Sequence, residues 1–167
     1  MDFERIFFFA TAGVAVVSGI LTITRRNPVQ SVLFLIVNFF CIALLYLGLN
    51  AQFLAIIQIL VYAGAIMVLF LFVIMLLNLG NEEALAEKWG GRKLVAVALS
   101  GAVLVQLIAI LFREEPGTAG WMSPGFGTVE SLGDSLFRRY LLQFEATSVL
   151  LLAALVGVIV IAKKKTN

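Results

Sequence analysis

The sequence contains few side chains that could do chemistry, and none of them combine into a catalytic or metal-binding pattern. It has no histidine and a single cysteine, Cys41. Imidazole ligands for haem, copper or catalytic zinc are therefore absent, and one thiolate cannot hold an iron–sulfur cluster. No glycine-rich phosphate loop and no nucleophile–base pair occur either. We expect no catalytic residue, no metal site and no bound cofactor on this chain.

Glu145 is the one charged residue inside the apolar stretch 140–162. It follows Arg139 by six residues, which is about 9 Å along a helix. A carboxylate at membrane depth is costly and marks a functional position by default. Glu145 is therefore a candidate proton-path or gating group. The alternative is a structural ion pair with Arg138, with Arg139 or with a neighbouring subunit, and the sequence leaves both open.

Gln58, Tyr62 and Gly64 form a second polar and small-residue group in an otherwise apolar stretch. Gln58 and Tyr62 are about one helical turn apart, so they are expected to form one stripe. Gly64 lies between Ala63 and Ala65, and such a small patch permits close helix approach and tolerates an irregular backbone. Plain helix packing explains the same residues, and small residues serve that role more often.

The amino-acid composition is typical of an integral membrane protein. Hydrophobic residues make up 62% of the chain and charged residues 13%, whereas soluble domains are about half apolar and a quarter charged. Residues 27–81 contain no charged side chain, and this run is long enough for two spans of about 20 residues each.

The apolar blocks predict an all-α integral membrane fold with five transmembrane helices in a single domain, 1–167. The predicted helices are 6–24, 28–47, 53–77, 94–112 and 140–162. Pro28 suits the first turn of the second helix, and Asn38 within that helix is expected to hydrogen-bond a neighbouring helix. The segment 113–139 contains two prolines and several glycines, which predicts a loop with a short amphipathic piece at 129–137.

The basic residues indicate the orientation. With five spans, four of the 12 lysines and arginines fall on one side and eight on the other. The positive-inside rule then predicts a periplasmic N-terminus and a cytoplasmic C-terminus. Because the basic residues lie at helix ends, and not in a patch with interleaved aromatics, no nucleic acid partner is expected.

The third predicted helix resembles a known family. The stretch Ile57–Asn78, with Val-Tyr-Ala-Gly-Ala inside it, is similar to the signature helix of the J subunit of respiratory complex I, NADH:quinone oxidoreductase. Asn27-Pro28 and Phe144-Glu145 resemble parts of that family's second and fifth helices. The resemblance covers nearly the whole chain except the loops 82–93 and 113–131.

The resemblance implies a non-catalytic subunit of a translocating enzyme in the bacterial inner (plasma) membrane. Such a subunit lies near the heel of the membrane arm, beside the small K, A and H subunits, the antiporter-like subunits and lipid. FMN, iron–sulfur clusters and quinone are then expected elsewhere in the whole complex.

The resemblance also implies a role for the third helix in coupling quinone reduction to proton translocation. In that family this helix carries a π-bulge, and its interconversion with a regular α-helix is proposed to make and break a water wire between the quinone cavity and the antiporter-like subunits. Carried over to this sequence, the resemblance implies that Tyr62 and Gly64 form the switch. Gln58 replaces a glutamate of some members, so it can order water without titrating, and the role of Glu145 is less definite. The positions beside the switch are Val61, Ala63 and Ala65.

Two other interpretations remain open from the sequence. A Mrp-type cation antiporter or a membrane-bound hydrogenase contains related small subunits. A stand-alone channel or transporter would instead be active as the purified chain. The presence or absence of flavin and iron–sulfur subunits separates the first alternative from complex I.

Overall fold

The computed structural model describes residues 2–77, 91–113 and 127–163, and every element in these ranges is helical. The helices are α1 (Asp2–Thr24), α2 (Pro28–Gly48), α3 (Gln52–Leu77), α4 (Gly91–Arg113), α5 (Val129–Asp134) and α6 (Leu141–Ala162). The charged loop 82–93 lies mostly outside the described residues, as do Asn78 and the last two lysines of the sequence. The predicted orientation depends partly on those residues and stays a prediction.

Four described helices, α1, α2, α3 and α6, are long and apolar enough to cross a membrane. The apolar stretch described in α4, Val95–Ile110, is shorter than the roughly 20 residues that a span needs. The chain is therefore a multi-pass membrane protein with four candidate spans, and a fifth span through α4 stays a prediction.

The corner between α1 and α2 is built by Asn27 and Pro28. Asn27 is extended, at φ −81° and ψ 117°, as expected for a residue before proline. Its side-chain oxygen accepts a hydrogen bond of 2.9 Å from the backbone N–H of Val29, which caps the helix. Pro28 occupies the first helical position, where its missing N–H costs nothing. The chain therefore reverses direction directly after α1.

The corner between α2 and α3 is a Schellman motif with an asparagine in the left-handed position. Asn50 has φ +59°, a region that asparagine tolerates better than most residues. The N–H of Ala51 donates to the carbonyl of Tyr46 at 2.9 Å, and the N–H of Asn50 donates to Leu47 at 3.0 Å. These bonds satisfy the last carbonyls of α2 and direct α3 back alongside it.

The interior of the described chain lies along α2, which packs against α1 on one side and against α3 on the other. The buried apolar residues are mostly small or slender, as membrane helix interfaces require, and they are Val32, Cys41, Ala43, Ala55, Ala63, Met67 and Ile74. In contrast, α4 forms no packing interface with another described helix, and α6 packs only against the segment just before it.

The segment 113–139 was predicted as a loop with a short amphipathic piece at 129–137, and the structure is helical over Val129–Asp134 within that piece. Thr128 caps α5 by accepting a hydrogen bond from the N–H of Ser131 at 3.3 Å. A π-helical segment, Ser135–Arg139, then continues to the start of α6, and the N–H of Tyr140 donates to the carbonyl of Ser135. The helical cap and the continuous backbone hydrogen bonds explain why the chain is ordered here.

Candidate functional site

The middle of α3 is a π-helix that extends over Gln58–Ile66, between regular α-helical segments on both sides. At its end, the N–H of Met67 donates to the carbonyl of Tyr62, five residues earlier. In an α-helix the N–H donates to the carbonyl four residues earlier, so each turn of the π segment contains more residues than an α-helical turn. Such segments are rare and occur often at functional sites.

The π segment changes which side chains of α3 face the interior. The buried positions along α3 are Ala55, Gln58, Ala63, Met67 and Ile74. In an uninterrupted α-helix the next inward position after Gln58 comes three or four residues later, but here it comes five residues later. The π segment therefore places Ala63, which is 5% exposed, on the interior face.

Gly64 lies within the π segment, close to a backbone carbonyl earlier in that segment. A Cβ atom added at this position would lie 3.2 Å from the carbonyl oxygen of Ile59. That oxygen belongs to the backbone of the same turn, so it can move only if the turn itself changes. A Cβ at this position would require the turn to adjust by a few tenths of an ångström.

Gln58 and Tyr62 differ in environment although they were predicted to form one stripe. Gln58 is 8% exposed, and its amide has no fully buried polar atom without a hydrogen-bond partner. Tyr62 is 45% exposed. Its ring makes an edge-to-face contact with Phe39 of α2, with ring centroids 5.8 Å apart and planes at 61°. The segment thus combines one buried amide with one aromatic ring held against α2.

The structure brings together six of the seven predicted site residues. Val61 and Ala65 are exposed members of the same π segment and lie beside Gln58, Tyr62, Ala63 and Gly64. Glu145 is the exception, because it lies on α6, which has no packing interface with α3.

Glu145 is exposed and makes no ion pair with a described residue. The two arginines proposed as its partners are engaged elsewhere. The Nε atom of Arg138 lies 2.7 Å from a carboxylate oxygen of Asp134, and the guanidinium of Arg139 lies over the ring of Tyr140 at 5.8 Å. The proposed pairing within the chain is therefore not formed among the described residues.

A group of polar bonds fixes α1 to α2 near the site. The amide nitrogen of Asn38 donates to the carbonyl of Ala15 at 2.7 Å and to the hydroxyl of Ser18 at 3.2 Å. The hydroxyl of Ser31 donates to the carbonyl of Thr22. The predicted interhelical hydrogen bond of Asn38 is confirmed. We call these contacts the α1–α2 clasp.

Sequence reasoning missed two residues near this site. Ser18 is one of three buried polar residues in the part of the chain that the structure describes. Phe39 had no signal, since its role depends on a partner in another helix. No three His, Cys, Asp or Glu side chains come together as a metal site within the ranges that the structure describes.

The sequence matches known proteins over almost its full length. The model of the family described as NADH-ubiquinone/plastoquinone oxidoreductase chain 6 matches residues 18–161. A Pseudomonas aeruginosa protein, NADH-quinone oxidoreductase subunit J, is 43% identical over 92% of this chain and 93% of its own. The Escherichia coli K12 protein of that name is 37% identical over 89% and 81% of the two chains.

The relatives include a plant protein. The chloroplastic NAD(P)H-quinone oxidoreductase subunit 6 of Physcomitrium patens is 37% identical over 97% of this chain and 84% of its own. The matches thus span bacteria and chloroplasts and cover each of the helices that form the site. The chain belongs to the NADH-ubiquinone/plastoquinone oxidoreductase chain 6 family, the family of the J subunit of complex I.

Proposed function

We propose that this chain is a membrane-arm subunit of a proton-pumping NADH:quinone oxidoreductase, and that α3 couples quinone reduction to proton translocation by changing between π and α forms. The observation that carries the proposal is the π segment at Gln58–Ile66. It lies in a long apolar helix and contains every predicted switch residue of the third helix. The names of the relatives support the enzyme, and the π segment supports the mechanism.

The change from π to α replaces one hydrogen-bond pattern with another and leaves no backbone group unpaired. The N–H of Met67 would move from the carbonyl of Tyr62 to that of Ala63. Because an unpaired backbone group costs several kcal/mol in lipid, a switch that keeps every group paired is far less costly than unwinding. When the π segment takes the α form, its turn no longer contains an extra residue. One end of α3 then rotates relative to the other by about 100°, the angle per residue of an α-helix.

Gln58 gives the switch its connection to water. Gln58 is 8% exposed, and neither polar atom of its amide is fully buried without a partner, so the amide reaches the surface of the described chain, where a water molecule could bind it. It cannot change charge, so it would order water and take no proton, and rotation of α3 would make or break the water path beside it.

The remaining assignments complete the proposal. The chain would span the bacterial inner (plasma) membrane five times, with the N-terminus in the periplasm and the C-terminus in the cytoplasm. Its partners would be the K, A and H subunits, the antiporter-like subunits and lipid. FMN, iron–sulfur clusters and quinone would lie in the whole complex, and this chain would carry none of them.

Substitution of Gly64 tests the switch. Gly64→Ala adds a Cβ that would lie 3.2 Å from the carbonyl oxygen of Ile59 in the π form, so the π turn must adjust by a few tenths of an ångström. Gly64→Val adds a branched side chain at the same point. We expect fewer protons pumped per electron in Gly64→Ala and fewer still in Gly64→Val. Electron entry from NADH to an artificial acceptor should stay normal, because that reaction does not involve the membrane switch.

Gly13→Ala is the matched control, since a Cβ at that helical glycine of α1 would meet no atom within 4 Å. The control should pump normally. Normal pumping by both Gly64 variants in a fully assembled enzyme would contradict the switch.

Purification tests the assembly. A tagged chain extracted in mild detergent should bring flavin and iron–sulfur subunits with it. Recovery with antiporter subunits and no flavin subunit would place the chain in a Mrp-type machine. Ion transport by the chain alone in vesicles would indicate a stand-alone transporter.

A further inference from the structure

The contact between Phe39 and Tyr62 joins the π segment of α3 to α2. The two rings meet edge to face, with centroids 5.8 Å apart, which is a favoured geometry for aromatic pairs. It is the only ring contact between α2 and α3 among the described residues. A movement of Tyr62 therefore breaks or makes one defined contact.

The other side of α2 is fixed. Asn38, the residue before Phe39, donates two hydrogen bonds across to α1, and Ser31 adds a third closer to the α1–α2 corner. Neighbouring residues of a helix point about 100° apart, so α2 holds α1 with Asn38 and meets Tyr62 with Phe39. Phe39 thus stands on a helix that the α1–α2 clasp keeps in place.

A change of α3 from π to α moves Tyr62 relative to Phe39. The extra residue of the π segment lies between Gln58 and Ala63, as the burial of these two residues shows. When the turn takes the α form, it no longer contains this extra residue, and Tyr62 shifts by about one position around the helix axis. The α1–α2 clasp prevents α2 from moving with it. The edge-to-face geometry described above then belongs to the π form, and the α form holds Tyr62 at a different angle to Phe39.

We infer that Phe39 is a positioning residue that holds Tyr62 in the π register and thereby sets the ratio of π to α forms of α3. The inference rests on the switch proposed above and adds to it a residue outside α3. Phe39 acts through Tyr62 and touches neither quinone nor the transported proton.

Replacement of the ring tests this role in the assembled enzyme. Phe39→Leu keeps an apolar side chain and removes the ring edge. From the usual strength of aromatic pairs, we expect the π-to-α ratio to fall roughly two- to tenfold. Electron cryomicroscopy can count particles with each hydrogen-bond pattern at Met67, and the number of protons pumped per electron should change with that ratio. Phe39→Met is a second variant of similar size.

Two variants separate positioning from general packing. Phe40→Leu removes the neighbouring ring, which is 45% exposed and makes no ring contact with a described residue, and it should leave the ratio unchanged. Phe39→Tyr keeps the ring edge and should restore the parent ratio. A Phe39→Leu enzyme that cannot be distinguished from Phe40→Leu would overturn the inference. So would failure of both Phe39→Leu and Phe39→Met to assemble, because Phe39 would then serve folding alone.

The Gly64 variants distinguish this failure from failure of the switch. If Gly64→Ala pumps fewer protons per electron while Phe39→Leu keeps the parent π-to-α ratio and pumping, the role of Phe39 is rejected and the switch is retained. Normal coupling in all of these variants rejects both.

Discussion

The helices α1 and α3 both pack on α2, whereas α4 has no packing interface with another described helix and α6 packs only on the segment just before it. Every buried apolar residue that the structure describes lies in α2 or α3, and none lies in α6. Burial from water does not draw helices together within lipid, so packing and polar bonds must do so. The first part of the chain has both, in its small residues and in the α1–α2 clasp. We infer that α1–α3 form a self-supporting frame for the switch and that α6 depends on lipid and neighbouring subunits.

The largest effect on stability is expected where the two parts meet. Gly127 has φ +81°, and a Cβ there would lie 2.6 Å from the carbonyl oxygen of Asn50. Gly127→Ala would combine a disfavoured backbone with a clash, and strain of this kind costs about 1–3 kcal/mol. Unfolding of the full chain in mixed detergent micelles measures the loss. Gly133→Ala, at a helical glycine with open space around it, is the control and should lose nothing.

A smaller effect is expected from the α1–α2 clasp. Asn38→Leu keeps the size of the side chain and removes two interhelical hydrogen bonds. Such bonds average about 0.6 kcal/mol each in membrane proteins, so the free energy of unfolding should fall by about 1 kcal/mol. Ser100→Ala removes a bond within α4 only and should change it much less. Equal losses in the two variants would mean that the clasp does not hold the frame.

A matched pair of valines compares the two parts directly. Val32 is 3% exposed and Val149 is 65% exposed. Val32→Ala loses packing contacts and should lower the free energy of unfolding by about 1 kcal/mol. Val149→Ala should change it by less than about 0.5 kcal/mol, as exposed substitutions do. The same micelle titration measures both, and a reversed order would contradict the division of the chain.

Glu145→Gln should have the smallest effect on the chain itself, below about 0.5 kcal/mol, because this carboxylate forms no ion pair with a described residue. Its effect is expected in the complex. Loss of co-purifying subunits would show that Glu145 pairs with a neighbouring subunit, and intact assembly with weak pumping would show that it serves the proton path. Normal assembly together with normal pumping would assign it neither role.

Much of the fold could be predicted from the sequence because a membrane restricts the choices. The long uncharged run, Pro28 and the polar turn near Asn50 place α2 and α3 with little ambiguity. The helix at Val129–Asp134 lies within the short amphipathic piece predicted at 129–137, although six residues give only a weak pattern. The second π segment, Ser135–Arg139, had no sequence signal that we can identify.

The site was predictable only in part. Hydrophobicity marked Gln58 and Gly64 as unusual, but the backbone irregularity between them was expected only from resemblance to a family. α-Helical spacing placed Gln58 and Tyr62 on one face, and the π segment gives them different burial. The contact with Phe39 could not be predicted, because it depends on how α2 and α3 pack.

The hydrogen bond of the Met67 N–H tests the account most directly. Electron cryomicroscopy of the assembled enzyme at rest and during turnover with NADH and quinone can show which carbonyl accepts it. We predict that a fraction of the particles moves from the carbonyl of Tyr62 to that of Ala63 as turnover begins. A single, unchanged pattern at Tyr62 in both conditions, in an enzyme that pumps normally, would contradict the switch.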